Sequence, residues 1–163
     1  MNQVPSSVWR NPIHFLAFGC GSGASPWAPG TMGTVAAIIP YLWFAQLSPL
    51  MYLLMLLVTT IVGIWLCERT SNDIGVKDHG GIVWDEFVGF WITMFMAPAG
   101  WLWILVGFVL FRVFDILKPW PIKWADKKVS GGLGVMLDDM IAGVFAAICL
   151  QLLVYSNVFS AIL

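Results

Sequence analysis

The sequence predicts an all-α integral membrane protein: a bundle of about five hydrophobic helices with a polar cap on one side and a short N-terminal interfacial helix. The chain is 60% hydrophobic and 10% charged, with mean hydropathy +0.85, whereas about a quarter of a soluble domain is charged. Every charged residue is Arg10 or lies within Glu68–Glu86 or Arg112–Asp139. Three stretches contain no charged residue, which is typical of membrane-inserted helices: 11–67, 87–111 and 140–163.

The length and composition exclude several classes of protein. A chain of 163 residues suits one domain, so we treat residues 1–163 as a single unit. A net charge of −1 argues against nucleic-acid partners, which require a basic face. The three cysteines (Cys20, Cys67 and Cys149) are far apart, and no CxxC or Cys/His cluster indicates a disulfide framework or a zinc site. The N-terminus lacks the pattern of a cleaved signal peptide.

Pro, Gly and polar clusters divide the apolar sequence into five predicted helices. Only the second and fifth approach the roughly 20 residues that cross about 30 Å of hydrocarbon. The third and fourth are expected to tilt, thin the bilayer, or enter and return. Pro40 predicts a kink in the first, and residues 11–18 are predicted to form the interfacial helix. The five helices are predicted at 31–47, 50–67, 84–97, 100–116 and 135–156.

The charge distribution also predicts a topology. Two passes precede Glu68 and two more separate Glu86 from Arg112, so the polar segments return to the same side of the membrane. A soluble four-helix bundle is the alternative, but it requires charged outer helix faces that these segments lack. The positive-inside rule places the polar cap in the cytoplasm, because one loop carries five basic residues: Arg112, Lys118, Lys123, Lys127 and Lys128.

Four polar segments meet in the predicted cap, and the first is the glycine-rich run 19–34 before an apolar helix. Free backbone N–H groups and the helix dipole favour an anion at such a helix start. The run is not a P-loop, because residues 11–67 contain no lysine. It is not a Rossmann fingerprint either, because no strand precedes it. Taken alone, a plain loop with a helix cap is the favoured interpretation.

The second segment, 78–86, runs into another apolar helix. Asp85 and Glu86 fall in its first turn, where acids gain from the helix dipole, so helix capping is the simpler interpretation. Capping needs only one carboxylate, however. This segment supplies three, together with His79.

The third segment places Arg112, Asp115 and Lys118 at spacing i, i+3, i+6, so that neighbours share one helix face. Asp115 falls in the last turn of a helix, where the dipole disfavours an acid, and it therefore requires a cationic partner. A purely structural salt bridge between Arg112 and Asp115 is the alternative to a functional role.

The fourth segment contains Asp138 and Asp139 before a long apolar run. Two acids near hydrocarbon are costly unless they are paired or bind a metal. Adjacent helical positions diverge by about 100°, so at most one of them points straight at a shared centre. The other is expected to orient a ligand of that centre rather than to contact the centre itself.

Together these residue types predict a phosphate held beside a hard cation. Carboxylates without a Cys/His set favour Mg²⁺, and Arg, Lys and a glycine-rich helix start favour phosphate. No cysteine is followed six residues later by the arginine of a cysteine-phosphatase loop, and no Asp-x-Asp pair indicates an aspartyl-phosphate enzyme. Metal-activated water is then the simplest route.

The four segments resemble those of the phosphatidylglycerophosphatase A family, bacterial membrane enzymes that convert phosphatidylglycerophosphate to phosphatidylglycerol. The matching stretches follow the family's order: SPWAPGTMGT (Ser25–Thr34), IVWDEFVG (Ile82–Gly89), FRVFDILKPWPI (Phe111–Ile122) and GGLGVMLDDMIAG (Gly131–Gly143). The resemblance implies an all-helical fold and Mg²⁺-dependent hydrolysis of the terminal phosphate monoester of that lipid. It also implies a protein of the bacterial inner membrane, and the charge distribution described above predicts a multi-pass chain whose active site faces the cytoplasm. The partners are then the lipid substrate and the bilayer, and the oligomeric state stays open.

On this basis we predict a role for each residue of the cap. Asp115 orients water or acts as a base, and Asp78 and His79 are less central helpers. The predicted metal ligands are Asp85, Glu86, Asp138 and Asp139. The predicted phosphate-binding residues are Gly30, Thr31, Thr34, Arg112 and Lys118. The predicted catalytic residues are Asp85, Glu86, Asp115, Lys118 and Asp139.

Two rival functions use the same residues differently. A small cation or proton transporter would use clustered carboxylates as its path. The acids here lie at helix ends on one side, however, and none lies in the middle of a predicted helix. A structural membrane subunit ranks third, because it would not need so many acids in one cap.

Overall fold

The computed structural model describes residues 4–76 and 79–156, and within these ranges the chain is helical and contains no strand. Two short 3-10 segments, Ser6–Trp9 and Gly19–Ala24, flank the first α helix. The prediction of an all-α fold is confirmed. The α helices are α1 Pro12–Ala17, α2 Pro29–Phe44, α3 Pro49–Ile74, α4 Trp84–Thr93, α5 Trp101–Leu117, α6 Ile122–Lys128 and α7 Gly131–Tyr155.

The hydrophobic helices differ from their predicted bounds mainly where charge or glycine suggested a break. α3 continues past Cys67 to Ile74, and its polar last turns place Thr70 and Ser71 in the interior. α7 begins at Gly131, earlier than predicted, and α4 already ends at Thr93. α6 was not predicted, since its seven residues are too few for a clear apolar period.

Two glycines allow α4 and α7 to cross in close contact. A Cβ atom on Gly143 would overlap the carbonyl oxygen of Gly89, and a Cβ on Gly89 would lie 2.8 Å from the carbonyl oxygen of Asp139. Thr93 Oγ1 donates to the carbonyl oxygens of Gly89 and Gly143, at 3.0 and 3.3 Å. Small residues permit such close backbone approach. The crossing brings the first turn of α4 beside Asp139.

The starts of α2, α4 and α7 and the ends of α3 and α5 lie together, at what we call the charged end. Gly30 at the start of α2 packs against Glu86 of α4 and Arg112 of α5. The backbone N–H of Gly132 donates to the Glu68 carboxylate of α3. At the opposite end, neutral contacts predominate, such as the bond from Tyr52 Oη to the Trp91 carbonyl oxygen at 2.8 Å.

Two helices, α3 and α7, are long and apolar enough to cross a membrane. Only 22% of the apolar stretch of α3 is buried, so most of that helix presents an apolar face to its surroundings. α4 has 10 residues and is about 15 Å long, which is too short to cross. This pattern indicates membrane association. The multi-pass bundle and the one-sided membrane cap stay predictions.

The short N-terminal helix forms at Pro12–Ala17, close to the predicted 11–18, and is tied to the rest of the protein. The buried His14 places Nε2 3.2 Å from Asp73 Oδ2 and Nδ1 3.0 Å from Ser7 Oγ. The backbone N–H of Val83 donates to the Ala17 carbonyl oxygen at 2.9 Å. α1 is therefore bonded to the last turn of α3 and to the residue that precedes α4. Its position at the membrane interface stays a prediction.

Candidate active site

Three carboxylates from two helices form the centre of the site. Asp85 and Glu86 lie in the first turn of α4, and Asp139 lies in α7 where the two helices approach. One oxygen of each lies within 4.8 Å of the others, an arrangement that could hold a metal ion. We call Asp85, Glu86 and Asp139 the three-carboxylate group.

Each member of this group has a buried oxygen without a hydrogen-bond partner in the described structure: Asp85 Oδ1, Glu86 Oε2 and Asp139 Oδ2. Leaving a buried acceptor unsatisfied costs about 1–3 kcal/mol, and more for a charged group. Three neighbouring carboxylates that each carry an unsatisfied oxygen fit a hard divalent cation, which accepts carboxylate ligands. The donor set therefore suits Mg²⁺.

The electrostatics of α4 support the same interpretation. Burial raises the pKa of Asp85 well above its usual range, and the Glu86 carboxylate raises it further. Burial likewise raises the pKa of Glu86 to about 7, despite the opposing effects of its hydrogen bond with Asp85 and of Arg112. Like charges taken out of water disfavour ionisation. A bound cation would reverse that preference, because metal binding requires the deprotonated form.

Arg112, Asp115 and the start of α2 form one side of the site. Arg112 Nη1 lies 2.7 Å from Asp115 Oδ2, so the predicted salt bridge exists. The same nitrogen lies 3.5 Å from Thr34 Oγ1, which donates to the Gly30 carbonyl oxygen at 2.9 Å. A Cβ on Gly30 would overlap Glu86 Oε1. A side chain at position 30 would therefore displace the Glu86 carboxylate where α2 meets α4 and α5.

Lys118 lies between two carboxylates on the other side of the site. Its Nζ lies 2.7 Å from Asp126 Oδ1 of α6 and 2.6 Å from Asp138 Oδ2 of α7. Burial lowers the pKa of Lys118, but the hydrogen bonds to Asp126 and Asp138 outweigh it and raise that pKa above its usual value. An ammonium group has three N–H donors. Two are used by these carboxylates, which leaves one for a ligand.

These groups surround a cavity of about 310 Å³. Lys118 and Asp115 line the cavity, and Arg112 contacts Asp115. With all six lining acids ionised against two bases, the site would repel a phosphate ester, and a bound cation would offset that repulsion. The lining acids are Asp85, Glu86, Asp115, Asp126, Asp138 and Asp139.

The structure separates the four acids predicted as metal ligands. Asp139 joins Asp85 and Glu86, whereas Asp138 bonds to Lys118. The metal role of Asp138 stays a prediction, and so does the phosphate role of Thr31, which lies half-buried in the first turn of α2.

The two predicted helper residues fare differently. His79 is buried against Phe18, and its Nδ1 accepts from the Gly81 N–H at 3.1 Å. Asp78 lies outside the described residues. Neither helper role is tested by this geometry.

Sequence reasoning missed two acidic residues near the site. Asp126 forms an ion pair with Lys118. The sequence feature that could have indicated it is a single acid among the lysines of 123–128. The Glu68 carboxylate accepts from the Gly132 N–H at the start of α7 and from Asn72 Nδ2 at 3.3 Å. The predicted second helix ends at residue 67, so the sequence pattern gives Glu68 no role in the site. The Glu68 contact joins residues 64 positions apart, and the Asp126 contact depends on the turn between α5 and α6.

Comparison with known families decides the relationship that the four segments indicated. The sequence model of the family "Phosphatidylglycerophosphatase A" matches residues 15–154. The chain belongs to the phosphatidylglycerophosphatase A family. No solved structure matches it.

Relatives match most of the chain. A phosphatidylglycerophosphatase A of Escherichia coli K12 is 50% identical over 139 residues, covering 84% of this chain and 80% of the relative. One of Haemophilus influenzae is 45% identical over 149 residues, covering 90% and 91%. A Bacteroides thetaiotaomicron protein, provisionally named a phosphatidylinositol-3-phosphatase, is 38% identical over 141 residues, covering 82% and 87%.

Membership makes the chain an enzyme of the phosphoric monoester hydrolase class. The transporter alternative finds no support among these relatives.

Proposed function

We propose that this protein hydrolyses the terminal phosphate monoester of phosphatidylglycerophosphate, giving phosphatidylglycerol and inorganic phosphate, with Mg²⁺ as cofactor. The substrate follows from the names of the two relatives with the highest identity above. The observation that supports the chemistry is the three-carboxylate group with its unpartnered buried oxygens, beside Lys118 in one cavity.

Asp85, Glu86 and Asp139 would hold Mg²⁺, because they offer hard oxygen ligands at one point. When bound, the ion would stabilise negative charge on the phosphoryl oxygens as a Lewis acid. We assign Asp138 to a different task. Its contact with Lys118 at 2.6 Å orients that side chain at the cavity wall.

The phosphate would be held by Lys118, Arg112 and the first turn of α2. Lys118 has one N–H left for a ligand, and the buried Nε of Arg112 has no acceptor within the described structure. The N–H groups at Gly30 and Thr31 start a helix, where the dipole favours an anion. Preorganised donors of this kind stabilise charge that develops during the reaction.

Asp115 would accept a proton from the attacking water. Asp115 lines the cavity, and its Oδ2 lies 2.7 Å from Arg112 Nη1, which fixes the direction of the carboxylate. Water oxygen then bonds to phosphorus, the phosphorus–oxygen bond to the glycerol breaks, and the leaving oxygen takes a proton from solvent. The products are an alcohol and inorganic phosphate, which balances the atoms of hydrolysis.

We place the protein in the bacterial inner membrane as a multi-pass enzyme whose charged end faces the cytoplasm. Exposed tryptophans occur at both ends of the helices. Trp120 and Trp124 follow α5 at the charged end, and Trp43 and Trp101 lie at the opposite end, all between 55% and 82% exposed. Tryptophan is enriched at both membrane interfaces. The presence of exposed tryptophans at both ends supports a bilayer between them.

The proposal is tested with purified protein in detergent micelles containing phosphatidylglycerophosphate. Phosphate release should require Mg²⁺, stop in excess chelator and be lost in Asp139→Asn. Phosphatidylinositol 3-phosphate, suggested by the name of the Bacteroides relative, is the comparison substrate and should be hydrolysed more slowly. Undiminished release in chelator would exclude the metal role. Absence of release together with cation flux in liposomes would support a transporter instead.

A further inference from the structure

The short helix α6 has two chemically different faces. Ile122 and Ala125 are buried, and Asp126 reaches inward to Lys118. Successive residues of a helix turn by about 100°, so the remaining positions occupy the opposite arc. That outward face consists of Lys123, Trp124, Lys127 and Lys128, and all four are exposed.

The outward face of α6 carries positive charge without compensation. None of its three lysines forms an ion pair with any residue that the structure describes. Trp124 is 55% exposed, and Trp120 in the preceding turn is 82% exposed. Exposure to solvent would explain the lysines but not the tryptophans. Two exposed indole rings among them are typical of a surface at the membrane–water boundary, where the ring lies at headgroup level.

The position of α6 links this face to the active-site cavity. Asp126 belongs to the same two turns as the lysines, and it lines the cavity together with Lys118. One short helix therefore has its inner face at the cavity wall and its outer face at the protein surface. A lipid held on the outer face lies beside the site.

We propose that Trp120 and the outward face of α6 form a docking surface for the headgroups of anionic phospholipids in the bilayer. Charge complementarity determines the choice, because lysines near an anionic surface attract it while a basic amphipathic helix lies in the interface plane. The surface concentrates anionic lipid, including the substrate, beside the cavity. Only the expected change in apparent KM rests on the proposed function.

The test compares two pairs of substitutions that remove the same charge. Lys127→Gln/Lys128→Gln alters the docking surface, and Arg10→Gln/Arg69→Gln removes two exposed positive charges elsewhere. Each full-length protein is placed in phosphatidylcholine nanodiscs with a trace of dansyl-labelled phosphatidylglycerol or dansyl-labelled phosphatidylcholine, in chelator. Energy transfer from tryptophan to dansyl then reports which lipid gathers at the protein, without any turnover.

We expect the unaltered protein and the Arg10/Arg69 pair to favour the anionic probe, and the Lys127/Lys128 pair to lose that preference. With Mg²⁺ and phosphatidylglycerophosphate diluted in phosphatidylcholine, the Lys127/Lys128 pair should raise the apparent KM about fivefold or more and leave kcat unchanged. One lysine near an anionic surface raises the association constant about fivefold. Added salt should reduce the difference.

Equal lipid preference in all three proteins, or equal loss in both pairs, would overturn the docking surface. An acidic protein or nucleic acid as the true partner would give that same result. If the unaltered protein favours the anionic probe but releases no phosphate, the proposed function fails and the docking surface stands. Melting temperatures of the variants show that each remains folded.

Discussion

Asp138 and Asp139 are adjacent in the chain, yet their carboxylates contact different parts of the site. An oxygen of Asp139 lies within 4.8 Å of oxygens of Asp85 and Glu86, whereas Asp138 Oδ2 lies 2.6 Å from Lys118 Nζ. The 100° turn between neighbouring helical positions produces this division. The proposed metal site at Asp139 is therefore separate from the contact that positions Lys118, and the two proposed roles can be tested separately.

The first prediction compares the two aspartates. Asp139→Asn should lower kcat by roughly a hundred- to a thousandfold, with partial recovery at high Mg²⁺, because one charged ligand is lost. Asp138→Asn should cause a smaller loss and leave the Mg²⁺ concentration for half-maximal activity unchanged. Turnover is measured over a Mg²⁺ series. Identical Mg²⁺ dependence in both variants would contradict the division.

The second prediction concerns Lys118. Lys118→Gln should reduce kcat/KM by roughly a hundred- to a thousandfold without changing the Mg²⁺ dependence, since a charged donor to phosphate is removed. If Lys118 served only to pair charges, the cost would be stability of about 1 kcal/mol or less, and turnover would stay near normal. Melting temperature and turnover of the same samples distinguish these roles.

The third prediction links pH to stability through Glu86. Its pKa is about 7 in the fold, against 4.5 for an ordinary glutamate, so the folded protein favours the protonated form. The stabilisation from this group is full below about pH 4.5 and is lost as pH rises through about 7, at most about 3 kcal/mol. Metal-free protein should therefore melt at a lower temperature near pH 8 than near pH 5.

Mg²⁺ should reverse that trend, because it binds the ionised carboxylates and stabilises the folded state by mass action. Scanning calorimetry with and without Mg²⁺ near pH 8 measures the effect, and Glu86→Gln serves as the control. A Glu86→Gln protein that keeps the full pH dependence would show that another group is responsible.

The fourth prediction concerns the crossing of α4 and α7. Gly143→Ala places a methyl group on the Gly89 carbonyl oxygen, so the helices must separate at a cost of about 1–3 kcal/mol. The separation moves Asp139 away from Asp85 and should weaken Mg²⁺ binding. Gly80→Ala is the matched control for stability, since a Cβ there meets nothing within 4 Å. Equal melting temperatures would show that the crossing tolerates a methyl group.

The fifth prediction concerns topology. Single cysteines at Ser48 and Lys127, in a background without native cysteines, should react from opposite sides of the membrane. Ser48 caps the start of α3 at the end opposite the charged end, and Lys127 lies in α6 at the charged end. An impermeant thiol reagent outside intact cells should label position 48 only. Labelling of position 127 would place the charged end outside.

The local pattern of the sequence predicted most of the helices, because apolar runs and glycine or proline breaks are read over a few neighbouring residues. It failed at the end of α3, which continues past Glu68 to Ile74 while the Glu68 carboxylate accepts from the Gly132 N–H of α7. It also failed at α6, whose seven residues are held by the burial of Ile122 and Ala125. The first failure involves a partner 64 residues away, and the second involves a helix too short to show an apolar period.

The sequence by itself determined the helical class, the segregation of charge and the four polar segments whose order identifies the family. These are properties of composition and short-range spacing. Only the tertiary structure decided that Asp139 joins Asp85 and Glu86 while Asp138 holds Lys118, because side-chain direction depends on how α7 rotates against α4. Only it brought Asp126 to Lys118, since a contact between α5 and α6 requires the turn that joins them.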